Sequence, residues 1–506
     1  MKILFVYSVN SPNEPKRPLE SQDEMQFGIS LISAYLQRHG HQTELLVLTR
    51  KTDKTFIIDF VKNFDPSLIA FTAVTTEYPL IEEISQILRI EYPEIFFLIG
   101  GVHVTLNPEE KMLKTFNAIC IGEGERSTLE LVRQLEGNQN LSLVPNLWFL
   151  QNGQCQKNSI IPFEKNLDEL PFADRRMWQR WIKEPKSRFS LLLGRGCPYS
   201  CTYCSNHALR KTAEGRYVRF RSPENILAEI DHITKYYPFV REIYLEVETF
   251  GAARFDDALT LCMLLEKFNA NRSELIEFGI NFRLIKFRDK LAPLFEAISK
   301  ANIRYLNIGL ESGSERVRNE ILKRPESNED IIKTVRLAKS FGIQVRFYNL
   351  VGIPGESKEE FKETIRMNQI CQPDFNYLSI FYPYSGTDLH AKCIEMGLIS
   401  PGKPLQVQVE RIFASFDSPV FTAREVEFSY IWFDFMVYRN TKSVNELLNS
   451  VIGNYLYVYG NQGKLKLFLW FRISSEILKH SIKTMDFIII VAFIRKIMKK
   501  ILGKFR

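Results

Sequence analysis

Short apolar runs alternate with amphipathic stretches along most of this chain, and they do so in two separate series. The first holds KILFVYSV (Lys2–Val9), TELLVL (Thr43–Leu48), LIAFTAV (Leu68–Val74), IFFLIG (Ile95–Gly100) and NAICIG (Asn117–Gly122). Helix-like segments such as Phe27–Arg38 and Leu80–Arg89 separate them. Continuous apolar strands interleaved with helices predict a parallel sheet covered on both faces, hence a doubly wound domain over residues 1–140. The second series holds RFSLLLG (Arg188–Gly194), EIYLEVE (Glu242–Glu248), LIEFGIN (Leu275–Asn281), RYLNIGL (Arg304–Leu310), QVRFYNLVG (Gln344–Gly352) and FNYLSIF (Phe375–Phe381). Helix-like stretches such as Pro223–Lys235 and Asn328–Phe341 lie between them. Six β/α units in a row predict a partial (β/α)6 barrel over residues 188–385. Residues 141–187 break the periodicity, and the polar, proline-bearing NLDELPFADRRMW (Asn166–Trp178) is expected to be a linker. Residues 386–506 turn mainly helical and aromatic, with Ser429–Asn440 and Lys466–His480 as helix candidates.

Composition narrows the function classes. The balance of 45% hydrophobic and 25% charged residues is that of an ordinary globular chain. The net charge of +7 is concentrated at the end: Asp486–Arg506 carries six basic residues against one acidic residue. The body is nearly neutral, so no nucleic-acid-binding face is expected. The opening MKILFVYSVN is expected to be a first strand rather than a signal peptide. A reducing cytoplasm follows as the expected location, with free thiols.

Three of the eight cysteines fall in one short loop, GRGCPYSCTYCSNH (Gly194–His207), with the spacing C-x₃-C-x₂-C. The other five (Cys120, Cys155, Cys262, Cys371 and Cys393) are scattered and expected to be inert. The loop follows the first strand of the second series, where barrel folds carry their chemistry. Thiolates hold zinc or an iron–sulfur cluster. A zinc ribbon would need a second C-x-x-C, which is absent, although His207 could complete a Cys₃His site. A thioredoxin-like use of Cys201 and Cys204 would leave Cys197 without a role. A four-iron cluster on three cysteines keeps one iron open for substrate. In the first series, two strands end in glycine-rich turns, GGVHVT (Gly100–Thr105) and GEGE (Gly122–Glu125), which let a ligand approach the backbone. No G-x-G-x-x-G follows the first strand, which argues against a dinucleotide.

C-x₃-C-x₂-C with Tyr203 before the last cysteine resembles the radical S-adenosylmethionine superfamily. NIGLESGSERV (Asn307–Val317), LVGIPGESKEEFKET (Leu350–Thr364) and YPYSGTDLH (Tyr382–His390) resemble signatures of its cobalamin-binding branch. GGVHVTLNPEE and IGEGERSTLELV are similar to that branch's cobalamin domain.

The resemblance implies that Cys197, Cys201 and Cys204 ligate a [4Fe–4S] cluster whose open iron takes S-adenosylmethionine. It places Tyr203 at the adenine, Glu246 and Glu248 near the methionine amine, and Glu311 and Ser312 toward ribose or methionine. Gly352, Pro354 and Gly355 would meet the adenine edge. Gly100, Gly101, His103, Gly122, Glu123 and Gly124 would face cobalamin. The D-x-H-x-x-G motif that supplies a lower cobalt ligand is absent, so water, another side chain or nothing would lie below the cobalt. A degenerate domain that no longer binds cobalamin stays open. An electron donor such as flavodoxin or ferredoxin is also implied.

Two function classes follow. One is an enzyme that transfers a methyl group to an unactivated carbon of a small-molecule or lipid-like substrate, with radical cyclisation or oxidation as its variant. The other is a non-enzymatic cobalamin- or zinc-binding module. In the tail, Phe487–Ile494 is too short to span a bilayer, which takes about 20 residues. The tail's apolar and basic residues recur at helical spacing, so peripheral contact with the inner face of the membrane is expected.

Overall fold

The computed structural model describes residues 1–459 except 11–13, 138–139, 187, 251–253, 284–289 and 403–410. The helix candidate at Lys466–His480 and the basic tail from Asp486 lie outside the described residues. Among the described residues no helix is long and apolar enough to cross a membrane. The chain divides into two compact units. The first takes in Met1–Ile308, Lys333–Val345 and Pro383–Lys392; the second takes in Gly309–Ile332, Arg346–Tyr382 and the chain from Cys393 on.

In the first unit, the five apolar runs of the first series become β1 (Lys2–Ser8), β2 (Gln42–Leu48), β3 (Leu68–Thr72), β4 (Phe96–Gly100) and β5 (Ala118–Cys120). They pair in parallel in the order β2-β1-β3-β4-β5. Helices Phe27–Arg38, Lys54–Phe64, Tyr78–Glu91 and Glu125–Glu136 fall between or after them. Side chains such as Ile3, Leu46, Leu68, Phe97 and Ile119 are fully buried in one core, as expected of a sheet covered on both faces.

The segment expected to be a linker does more than connect. It adds β6 (Leu147–Gln151) and β7 (Gln154–Lys157), an antiparallel hairpin that extends the same sheet beyond β5. Farther on, Trp178 and Trp181 are buried in the N-terminal core. Trp178 Nε1 donates to Ser30 Oγ (2.8 Å) and Trp181 Nε1 to the Leu45 carbonyl (3.1 Å). The indole rings contribute area while their N–H groups stay satisfied. No boundary between compact units falls near residues 140 or 187.

The second series begins in the same unit. β8 (Phe189–Leu192), β11 (Glu242–Glu246), β12 (Glu277–Phe282) and the start of β13 (Ile303–Glu311) pair in parallel in that order. Between β8 and β11, the two-residue strands β9 (Gly194–Arg195) and β10 (Arg219–Phe220) pair antiparallel. Residues 383–392 return to this unit. There the Leu389 N–H donates to the Thr202 carbonyl (2.9 Å) and Asn107 Nδ2 to the Ser385 carbonyl (3.3 Å).

The second unit holds β15 (Phe375–Ile380) paired in parallel with β14 (Gln344–Val351), followed by a helical region. Its helices Lys358–Cys371 and Ala423–Tyr438 each open on a full capping box, Ser357 with Glu360 and Thr422 with Glu425. Phe361, Phe421, Trp432 and Phe433 pack into its own core. The chain is therefore an α/β protein: a doubly wound domain, a parallel-stranded β/α region, and a helical C-terminal region.

Candidate active site

The three clustered cysteines sit where β8 and β9 hand the chain to a loop that ends in helix Ser205–Leu209, which Cys204 caps. All are free; Cys201 is buried and the other two half-buried. Arg283 Nη1 donates to Cys201 Sγ at 3.1 Å. Burial pushes the Cys197 thiol up to about 11 and the Cys204 thiol up to about 12, so an electron-poor iron centre is needed to hold them as thiolates near neutrality. Among the described residues no three His, Cys, Asp or Glu side chains close on a point that one ion could occupy. The fit to a cluster rests on the donor set: three thiols in one loop, none in a disulfide, with a guanidinium donating to the most buried sulfur. His207 turns elsewhere: its Nε2 lies 2.7 Å from Asp388 Oδ2, so it completes no closed Cys₃His site here.

Around this loop lie two of the strand-end carboxylates. Glu246 ends β11, and burial, with Glu248 and Asp23 adding to it against Arg188, raises it to about 7. The Glu248 carboxylate adds, after burial, to the upward shift of the Cys197 and Cys204 thiols. Tyr203 is half-buried within the loop. Arg283, just past β12, is 7% exposed and stacks 3.8 Å over the Tyr199 ring. Sequence reasoning missed it. The available signal was a basic residue immediately after a barrel strand, in FGINFR.

The remaining expected residues of this series belong to the second unit. Glu311 ends β13 with a left-handed backbone, φ 60°, a conformation that a non-glycine residue adopts at a cost and that marks constrained sites. Its carboxylate lies 3.6 Å from Arg324 Nη1. Ser312 is fully buried, and its hydroxyl accepts from the Ser314 N–H (3.3 Å), 3.5 Å from Thr364 Oγ1. That side chain is buried and partnered within the protein. In the following turn, the Gly352 and Ile353 N–H groups donate to Glu356 Oε2 (2.9 and 3.3 Å). Burial raises Glu356 to about 8 despite those two donors. Pro354 is buried, and the Gly355 carbonyl accepts from Arg316 Nη2 (2.9 Å).

At the carboxyl ends of β4 and β5 stand the two glycine turns, the position where open α/β sheets take ligands. Gly100 closes β4, and Gly101 adopts φ 96°. A Cβ on Gly101 would lie 2.6 Å from Thr72 Oγ1 and 2.9 Å from the Ala73 backbone. Only glycine fits there. Gly122, also at positive φ, has open space beside it, with nothing nearer than Asn146 Nδ2 at 4.0 Å. Gly101 thus packs its bare backbone against Thr72 and Ala73, while Gly122 leaves open space after β5 that a side chain would fill, which fits a ligand laid against the end of the sheet. His103 is half-buried, its Nδ1 3.3 Å from Thr75 Oγ1 and its ring 4.6 Å from that of Tyr78. Burial lowers its pKa, so it stays neutral at pH 7. Gly124 packs against Ile32. Glu123 faces another way. Its carboxylate pairs with Arg195 (3.0 Å) and Arg219 (2.9 Å) and accepts from the Glu164 N–H (2.8 Å). Glu125 pairs with the same Arg195. Glu123 is thus an anchor for its turn, with no oxygen left over for cobalamin.

Gly101→Ala is expected to add roughly 1–2 kcal/mol of backbone strain and to push the Ala73 backbone aside. The cobalamin-to-iron ratio of reconstituted protein, read by absorbance and iron assay, should fall while iron content holds.

Residues 21–132 match the B12 binding domain family, and residues 191–367 match the Radical SAM superfamily. An uncharacterized methyltransferase of Pyrococcus horikoshii is 27% identical over 355 residues, covering 69% of this chain and 74% of that protein. An anaerobic magnesium-protoporphyrin IX monomethyl ester cyclase of Rubrivivax gelatinosus is 24% identical, over 71% of this chain and 65% of the cyclase. Among solved structures, the cobalamin-dependent S-adenosylmethionine radical enzyme OxsB superposes with a TM-score of 0.68 at 18% identity, over 95% of this chain and 75% of that one. The methyltransferase TsrM of Kitasatospora setae superposes with a TM-score of 0.62 at 16% identity, over 81% of this chain and 79% of that one. With both domains in this order, the chain is a cobalamin-dependent enzyme of the radical S-adenosylmethionine superfamily.

Proposed function

We propose that the enzyme transfers a methyl group to an unactivated carbon of a small-molecule substrate. The observation that carries this reading is the ion cluster of Glu123, Glu125, Arg195 and Arg219. It ties the second cobalamin turn to the strand that leads, two residues on, into Cys197. A carbon radical is short-lived, so a methyl carrier is useful only if it is held close to where that radical forms. Bound here, the cluster with S-adenosylmethionine supplies the radical, and cobalamin supplies the methyl group. The protein's share is positional. Cys197, Cys201 and Cys204 hold the iron, while Glu246 and Glu248 offer carboxylates to an ammonium group. Gly122 leaves room for the corrin, and Gly101 lets the turn after β4 close tightly on Thr72 and Ala73. Tyr203, Glu311 and the Gly352–Gly355 turn are the proposed contacts to the rest of S-adenosylmethionine. Relatives named hopanoid C-3 methylase and cytidylyl-2-hydroxyethylphosphonate methyltransferase support the methyl-transfer reading.

The cyclase relatives favour a second reading, ring closure without methyl transfer. Anaerobically reconstituted protein, given S-adenosylmethionine bearing a CD₃ group and a one-electron reductant, separates the two. Methyl transfer requires S-adenosylhomocysteine to form alongside 5′-deoxyadenosine. 5′-Deoxyadenosine with no S-adenosylhomocysteine would replace it with the cyclase reading.

A further inference from the structure

Two of the three sulfur-bearing side chains in the cysteine loop, Cys197 and Cys204, are half-buried. The third, Cys201, is the most buried of the three, and its donor is a charged side chain from a different strand. Arg283 Nη1 lies 3.1 Å from Cys201 Sγ, and the guanidinium is fixed from the other side by the Tyr199 ring at 3.8 Å. A buried cation is tolerated where negative charge compensates it. Three thiolates on a [4Fe–4S] centre are such a charge. The arginine's planar fork holds the contact in one geometry, which a flexible lysine would not.

We propose that Arg283 sets the reduction potential of the cluster through Cys201. This rests on the cluster assignment to Cys197, Cys201 and Cys204. The physical argument is one of sign. Reduction adds one electron to the cluster and makes or breaks no bond at Arg283. The added negative charge is stabilised by a fixed cation and by a hydrogen bond to a ligating sulfur, both recognised determinants of cluster potential. Arg283 therefore makes the cluster easier to reduce, and removing its charge makes it harder. Arg283 is a positioning and tuning residue, since it touches a ligand and no reacting atom.

The test is an anaerobic redox titration of the reconstituted, full-length protein, following the reduced cluster by its paramagnetic signal, for the wild type, Arg283→Gln and Arg283→Lys. Iron and sulfide content are measured first: in the wild type they test the cluster assignment, and in the variants they show whether the cluster still loads. With iron unchanged, Arg283→Gln is expected to lower the reduced-to-oxidised ratio at fixed potential at least tenfold, a shift of 59 mV for a one-electron couple. Arg283→Lys, which keeps the charge and loses the fork, should fall between it and the wild type. Equal midpoints in all three fully loaded proteins would overturn the proposal. So would loss of the cluster from both variants, which would make Arg283 a support for the loop. If Arg283→Gln alone fails to load, the lysine variant decides: a wild-type midpoint there removes the role assigned to the fork, and a lowered one sustains it.

Discussion

Replacing Cys201 by alanine is expected to strip most of the iron from the protein and to stop formation of 5′-deoxyadenosine, whereas Cys155→Ala should leave both unchanged. Three thiols hold a centre that needs a fourth, non-protein ligand, so losing one leaves too few anchors for a cubic cluster. Cys201 lies deepest and also carries the Arg283 hydrogen bond, so its removal strands that guanidinium as well. Cys155 belongs to β7, in the hairpin at the edge of the N-terminal sheet. Iron assay, the visible spectrum and chromatography of the cleavage products read both outcomes. A Cys201→Ala protein with full iron and normal 5′-deoxyadenosine would place the cluster elsewhere.

The second large effect is expected at Glu123. Glu123→Ala leaves Arg195 and Arg219 without one shared partner, and Arg219 is only 4% exposed. Breaking a buried ion pair from one side costs about 3–5 kcal/mol, and the lower end applies because the Glu123 side chain keeps some exposure. Burial alone would raise the Glu123 pKa, but Arg195 and Arg219 together hold it below the usual range. Its contribution is therefore complete at neutral pH and is lost as acid protonates the folded carboxylate. Because a multidomain chain does not unfold in one step, hydrogen exchange is the suitable measurement. Amides at 122–126 and 160–165 should open at least a hundredfold more often, and cobalamin retention should fall with them. Unchanged exchange at those segments would mean that the ion cluster anchors nothing.

The contrast between Glu123 and its neighbours shows what a sequence of this kind discloses. Apolar periodicity fixed the strands of both series to within a few residues, because burial on a regular element leaves a local imprint. The Phe27–Arg38 helix was legible to the residue. The hairpin of β6 and β7 was missed even though it carries a strong local sign: Asn152 and Gly153 both adopt positive φ between alternating strands. The surrounding polar, proline-bearing composition masked it. Glu123 and Ser312 were legible as polar residues at strand ends. The partners that hold them within the protein are Arg195 and Arg219 for one, and Thr364 for the other. Those partners lie 52 to 96 residues along the chain, and no local pattern encodes them. Arg283 carried a local sign, a basic residue right after a strand, but its partner Cys201 is 82 residues upstream and no local pattern names it.

The return of residues 383–392 to the cysteine loop bears on the order in which the protein matures. Thr202 receives its hydrogen bond from Leu389, and His207 its contact from Asp388. A ribosome that has just released Cys204 must still add more than 180 residues before that side of the loop exists. The contacts that close that side of the loop therefore form only once the chain has passed residue 389.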